Sequence, residues 1–398
     1  MILERRSLIR SLGAAAVVVA ADYLLVLTDC IIAGRVIGEA ALGAMNLLMP
    51  AFSVVTFFAW LLGSGMSATY LRAIHKGDGR HAAEIAWQGM VSACVLALVL
   101  GILVWVCGHP YLSFMGPDEE VAGFAVRYGR WYPAILAFQS VGMVLLYLVF
   151  VRGGELVCIK AYAVQLAANL ILSYGLCERL GMAGISLGTA LSYLVWGAAM
   201  AVLLKREDVG LRIVRVRFDP RLIARSVRGS FAESFVWLFH AVLFFGITKY
   251  VLLFWDSESL AVCAVVFFVI RLTAFFAGVG IAMRTLESSR QNGAADSSEI
   301  GKVFRVGASA AFVATVLAAA IFFVAPEPVI GLFGIESSDL VEGSKFAARV
   351  TVVGLVLGGL VSFLPLVWRV KQSRFPEARL NYLQSYVLSR IAEDPSSQ

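Results

Sequence analysis

The chain alternates between long apolar stretches and short segments rich in charge. The apolar stretches fall at about 9–32, 44–70, 83–107, 122–150, 156–175, 181–204, 230–255, 259–284, 303–325 and 341–369. A bilayer core about 30 Å thick needs about 20 apolar residues per helical crossing. A backbone surrounded by lipid must also satisfy its own hydrogen bonds, which favours helices. The pattern therefore predicts an all-α integral membrane protein with about ten transmembrane helices. Composition agrees: 60% of the 398 residues are hydrophobic and 15% are charged, against about 45–50% and about 25% in soluble domains.

The polar intervals supply sidedness, because Lys and Arg gather on the cytoplasmic side. Arg5, Arg6 and Arg10 precede the first stretch, and Arg72, Lys76 and Arg80 follow the second. Arg152 follows the fourth, and the sixth is followed by a run of cations from Lys205 to Arg228. Arg284, Arg290, Lys302 and Arg305 follow the eighth, while Arg369, Lys371 and Arg374 close the tenth. The intervals between these carry Asp118, Glu119 and Glu120, then Asp256 and Glu258, then Glu336 and Asp339. This alternation predicts both termini in the cytoplasm, and the expected location is the plasma membrane. The net charge of +6 then faces anionic headgroups, and no nucleic acid is needed to account for it. Glu4-Arg5-Arg6-Ser7 imitates a twin-arginine export signal, but the apolar run behind it contains Asp22 and is followed by many more. It reads as a first transmembrane helix.

The chain also repeats itself. Leu42 and Leu260, Asp78 and Asp296, Gly89 and Gly307, Pro110 and Pro328, and Gly116 and Gly334 are each 218 positions apart. An even number of crossings in the first copy gives both copies one orientation, as in transporters with parallel repeats. The expected organisation is a six-helix lobe over 1–204, a basic linker over 205–229 and a four-helix lobe over 230–370. A polar or amphipathic tail, 371–398, carries Leu380, Leu383, Val387 and Ile391 on one helical side.

Candidate chemistry lies inside the apolar stretches, where ionisable groups are costly and mark functional positions. Asp22 and Asp29 are seven apart and share one helix face. Tyr162, Gln165, Asn169 and Ser173 form a polar stripe on the fifth helix, and Ser186, Thr189 and Ser192 offer hydroxyls from the sixth. Asp29 facing the stripe would make an oxygen-rich cage for Na⁺ or a proton. Hydrogen bonding between helices accounts for such stripes equally well. In the second half, His240 and Arg271 lie near mid-span and Lys249 near an end, from which its amine can snorkel. Arg271 would pair with an acid such as Asp22 or be satisfied by backbone carbonyls. Phe52, Phe57, Phe58, Trp60 and Met66 could line an apolar pocket, although at helical spacing they also suit plain packing. The six cysteines show no CxxC spacing and read as small buried apolar residues. There is no HExxH, Walker or GxSxG motif, so the chain does not read as an enzyme.

Thr28-Asp29-Cys30-Ile31-Ile32-Ala33-Gly34-Arg35, then Ala40-Ala41-Leu42-Gly43-Ala44 and Pro50, resemble the first-helix signature of the multidrug and toxic compound extrusion (MATE) family. Gly77-Asp78-Gly79, Arg152-Gly153-Gly154, Asn169-Leu170-Ile171-Leu172, Leu180 to Ile185 and Gly188-Thr189 extend the likeness across 28–192. The resemblance implies two lobes in a V, alternating access, and antiport of amphipathic organic compounds, cations foremost, against H⁺ or Na⁺. No other cofactor or metal is implied. It also implies an ion site built from Asp29, Asn169, an acid one turn later and Thr189. This sequence has Ser173 at that third position, and Asp22 is the candidate to supply the missing carboxylate. Gln139, Tyr162, Gln165, His240 and Arg271 are the candidates for the substrate cavity. Compared with the family's twelve-helix plan, the second lobe lacks its last two helices. A lipid-linked saccharide flippase and a non-transporting partner protein are the alternative expectations; oligomeric state is left open.

Overall fold

The computed structural model describes residues 2–206, 218–228, 230–272 and 297–372, and every regular element among them is helical. The first half comprises α1 (Ile2–Ile32), α2 (Glu39–His75), α3 (Gly79–Val106), α4 (Gly108–Met115), α5 (Glu119–Gly129), α6 (Tyr132–Phe150), α7 (Glu155–Leu180) and α8 (Met182–Arg206). The second comprises α9 (Pro220–Arg228), α10 (Phe231–Phe254), α11 (Val262–Arg271), α12 (Ser297–Val324), α13 (Pro326–Leu332) and α14 (Ser338–Gln372). Among the described residues, eight helices are long and apolar enough to cross a bilayer, and they match eight of the ten expected stretches. Of the stretch 259–284 only the part through Leu272 is described. The 341–369 stretch lies within α14. Residues 207–217 of the expected linker and 373–398 of the expected tail lie outside the described residues.

One expected helix is corrected. The stretch 122–150 is two helices, α5 and α6, divided at Arg130-Trp131 with Pro133 in the first turn of α6. A proline ring clashes with the carbonyl four residues back and offers no N–H, so one continuous helix through Pro133 is disfavoured. The break frees α6 to run through the middle of the first half, buried along most of its length. The outer helices are buried on one side only: Val95, Val99, Ile102, Leu103 and Trp105 of α3 and Val242, Leu253 and Phe254 of α10 are exposed. Apolar side chains in such numbers on the outside suit a lipid solvent.

Small residues let the helices approach. Gly142 of α6 lies against the Trp196 ring of α8, and Gly101 of α3 against Pro133. The 218-residue repeat reappears in three dimensions. Val106 to Val324 is 218 positions, so α3 and α12 end at corresponding residues. Gly116 and Gly334 follow the short helices α4 and α13 in the same left-handed backbone, φ 77° and 74°, a region favouring glycine because it has no Cβ. Leu42 and Leu260 are both fully buried.

The two halves are clasped at the end of the bundle that carries the α1–α2 connection. That connection is a π-helical turn, Ala33–Ile37. Arg35 donates Nε to Leu332 O at 3.2 Å and Nη2 to Gly331 O, both at the C-terminus of α13. Glu39 Oε1 accepts the N–H groups of Glu336 and Ser337 at 2.8 and 3.0 Å, at the N-terminus of α14. The cation thus meets the negative end of one helix dipole and the anion the positive end of the next. Asn46 Nδ2 donates to Leu260 O at 3.0 Å, and the Asp118 N–H donates to Ser257 Oγ at 2.8 Å. Lys249 is not a free snorkelling amine: its Nζ donates to Phe114 O at 2.6 Å and Met115 O at 3.1 Å, closing the C-terminus of α4. Nearby, Asp256 caps the 3₁₀ turn Glu258–Ala261 by accepting from Ser259 N and Oγ, both at 2.8 Å. Those bonds hold its carboxyl below the usual value.

The expectation that all six cysteines are buried holds for four: Cys94 is half-buried, and Cys107 is exposed at the end of α3. Its helix turns there into α4, away from the packed interior.

Candidate functional site

Asp29 sits in the last turns of α1, just before the π turn, and is buried. Helix α7 presents its stripe inward, so Tyr162, Gln165, Asn169 and Ser173 are all buried, as are Ser186, Thr189 and Ser192 of α8. Helices α7 and α8 come together at Gly188, where an added Cβ would lie 2.5 Å from the Ser173 backbone N and Cα. That contact sets Thr189 beside Asn169.

The result is a connected cluster. Thr189 Oγ1 donates to Asp29 Oδ2 at 2.5 Å, and Asn169 Nδ2 donates to Asp29 Oδ1 at 3.1 Å. Asn169 Nδ2 also lies 3.1 Å from Ser173 Oγ and 3.4 Å from Thr189 Oγ1. Ser173 Oγ donates to Ile185 O at 3.3 Å. Asn169 Oδ1 is buried with no hydrogen-bond partner among the described residues. Asp29 and Thr189 face a cavity of about 20 Å³ whose walls include Met45, Met49, Phe52 and Tyr128. A cavity holds one water when it exceeds roughly 10–15 Å³. There is room for a water or an ion and none for an organic molecule. Converging oxygens, one carboxylate and one free lone pair can bind a small cation or exchange a proton.

Replacing Gly188 with alanine should wedge α7 from α8. Overpacking of this kind costs about 1–3 kcal/mol, to be read as a lower thermal unfolding midpoint in detergent. A variant as stable as wild type would show that the close approach is unimportant.

Asp22 does not join this cluster. It lies seven residues earlier on α1, about 10 Å of helical rise, and its buried Oδ1 has no partner among the described residues. Among the described residues, no hydrogen bond from Asp22 reaches Ser173 or Asn169 to stand in for the carboxylate absent there. Other buried polar atoms lack described partners too: both amide atoms of Gln139 and of Gln165, the Tyr193 hydroxyl and Trp196 Nε1. Tyr162 packs on Trp196 with centroids 4.8 Å apart, and Trp196 on Tyr193 at 6.1 Å. Buried polar groups without partners are rare and point to a site that a ligand or water completes. Tyr193 and Trp196 went unnoticed in the sequence, although they stand four and seven residues after Thr189, on its face of α8.

His240 and Arg271 lie in the second half, joined through Trp237. The Trp237 ring is 5.6 Å from the His240 ring and 5.9 Å from Arg271 Cζ. At Nε and Nη2, neither partner expected of Arg271 is found among the described residues. It makes no ion pair with Asp22, although the two charges interact at a distance, and Nε and Nη2 reach no carbonyl. Instead the guanidinium lies between the Phe52 ring, 5.6 Å away, and Trp237, held by cation–π attraction. Phe52 therefore touches both the cation and the cavity. Phe57, Trp60 and Met66 are buried packing residues.

Comparison with known proteins bears on what this site belongs to. Residues 14–177 match the MatE family model, a range that includes Asp29, Asn169 and Ser173. The chain is 27% identical over 353 residues to the probable multidrug resistance protein NorM of Pseudomonas aeruginosa, with 83% of this chain and 70% of that protein covered. The outward-facing conformation of a multidrug resistance MATE family transporter of the MOP superfamily superposes with a TM-score of 0.73 at 17% identity, covering 96% of this chain and 82% of that one. An inward-facing conformation under the same description gives 0.65 at 20% identity, covering 84% and 78%. At these identities the structural likeness is one of fold.

Proposed function

The chain is a multi-pass membrane relative of the MATE transporters, and from that premise we propose that it exports amphipathic organic compounds in exchange for H⁺ or Na⁺. The observation that carries the reading is the buried Asp29–Asn169–Thr189 cluster beside a cavity of ionic size. Binding a cation or proton there would compete with the hydrogen bonds that tie α1 to α7 and α8. Substrate would then be released or admitted as α1 and its neighbours repack, which is alternating access with a carboxylate as the coupling element.

In this proposal residues 1–204 and 230–370 are the two lobes, 205–229 joins them, and the basic segments face the cytoplasm of a plasma-membrane protein. The clasp at the α1–α2 connection then lies on the outer side. Its closure supports a state shut toward the outside.

Cells expressing the full chain are expected to accumulate less ethidium than cells without it, and to lose the difference when proton and sodium gradients are both collapsed. Imposing each gradient singly on everted vesicles identifies the ion. Equal ethidium accumulation with and without the chain would overturn the transport reading.

A further inference from the structure

Arg271 is 2% exposed, yet Nε and Nη2, the two nitrogens along one edge of its guanidinium, have no hydrogen-bond partner among the described residues. Burying a charge in this condition is costly, and removing its hydrogen bonds costs more. That edge is the one a carboxylate or phosphate engages with two parallel N–H···O bonds. Beside it, Trp237 Nε1 is another buried donor without a described partner. The rings of Phe52 and Trp237 contribute apolar surface around the charge and hold it in place. Three donors without a described partner and two aromatic rings are the groups that an oxyanion attached to an apolar body would engage.

The position suits a substrate. Phe52 comes from the first half and Trp237 and Arg271 from the second, so the group lies where the halves meet. Phe52 also borders the small cavity faced by Asp29, which must widen before an amphipathic compound can enter. Asp22, within electrostatic range of Arg271 and with an Oδ1 that has no partner among the described residues, would oppose a simple anion. A compound carrying an ammonium as well as its acid satisfies both groups.

We propose that Arg271, with Trp237, forms an anion-binding site at the junction of the two halves that receives the carboxylate or phosphate of an amphipathic compound. This rests on the transport reading above and narrows its substrate class. Arg271 binds the acid directly; Phe52 only positions it.

The test uses the full chain in a neutral detergent and compares fluorescent dansylaminoundecanoic acid with its methyl ester. The pair differs only in the charged group. Wild type is expected to bind the acid about 10- to 100-fold more tightly than the ester, the size of a charge-assisted hydrogen-bond pair. R271Q should lose that preference, and R271K, which keeps the charge without the fork, should retain part of it. A purely structural arginine would lower stability when changed, whereas R271M, relieved of a buried charge with two nitrogens lacking a described partner, should melt no lower than wild type. Displacement of the acid by dodecyl phosphate alone would indicate a soluble amphiphile, and displacement by phosphatidic acid a bilayer lipid; either supports the site. Equal binding of acid and ester by wild type, binding of neither, or a preference that survives in R271Q would overturn it. Ethidium export by wild type alongside such a result would leave the transport reading standing and remove only this refinement.

Discussion

Asp29→Asn is expected to reduce gradient-driven ethidium export at least about 10-fold, to the level of cells without the chain. The Asp29 carboxylate is acceptor to both Thr189 Oγ1 and Asn169 Nδ2. Asparagine keeps the shape, but it replaces one acceptor with a donor and removes the only full charge in the cluster. Ionisable groups inside a membrane are costly and by default mark functional positions. Stability should not fall, since replacing a buried charge by a neutral group is often neutral or favourable. The two measurements are efflux rate and thermal midpoint in detergent. Export near the wild-type rate would remove Asp29 from the coupling mechanism; a large drop in midpoint would make its role structural.

The second large effect is expected from Gly34→Ala. The added Cβ would lie 1.8 Å from Phe333 O, and backbone cannot retreat as a flexible side chain can. The α1–α2 turn must then move off the α13–α14 loop, taking Arg35 from Gly331 and Leu332 and Glu39 from Glu336 and Ser337. These charges are exposed, so each bond contributes modestly; the steric term dominates. A conformational bias of about 1–3 kcal/mol shifts populations by about 5- to 150-fold. Spin labels placed at Val36 and Glu336 should therefore report longer separations, and export should fall because the clasped state is no longer reached. Gly13→Ala, whose added Cβ meets nothing within 4 Å, should change neither. Unchanged label distances in Gly34→Ala would show that the contact does not govern closure.

Much of the architecture is written into local sequence. Apolar stretches of bilayer length must be helices in lipid, whatever they pack against, and the 218-residue period reappears in the matching C-terminal ends of α3 and α12. Asp29, Asn169, Ser173 and Thr189 were also legible, because polar residues at helical spacing inside an apolar stretch declare a face. The division of 122–150 was missed although Pro133 signals it, because hydropathy averages over a turn-sized gap.

The partners of those faces were not legible. The sequence left Lys249 to snorkel and Arg271 to pair with Asp22 or with carbonyls. Tertiary packing instead places Lys249 on the C-terminus of α4 and Arg271 between two aromatic rings. It also separates Asp22 from Ser173, and sets a glycine from one half against a carbonyl nearly 300 residues away. Helix formation and burial in lipid depend on residues within a few turns, so the sequence alone determines the membrane class, the repeat and the polar stripes. Which charge meets which partner depends on the rotation and approach of separate helices, and only the tertiary structure decides it.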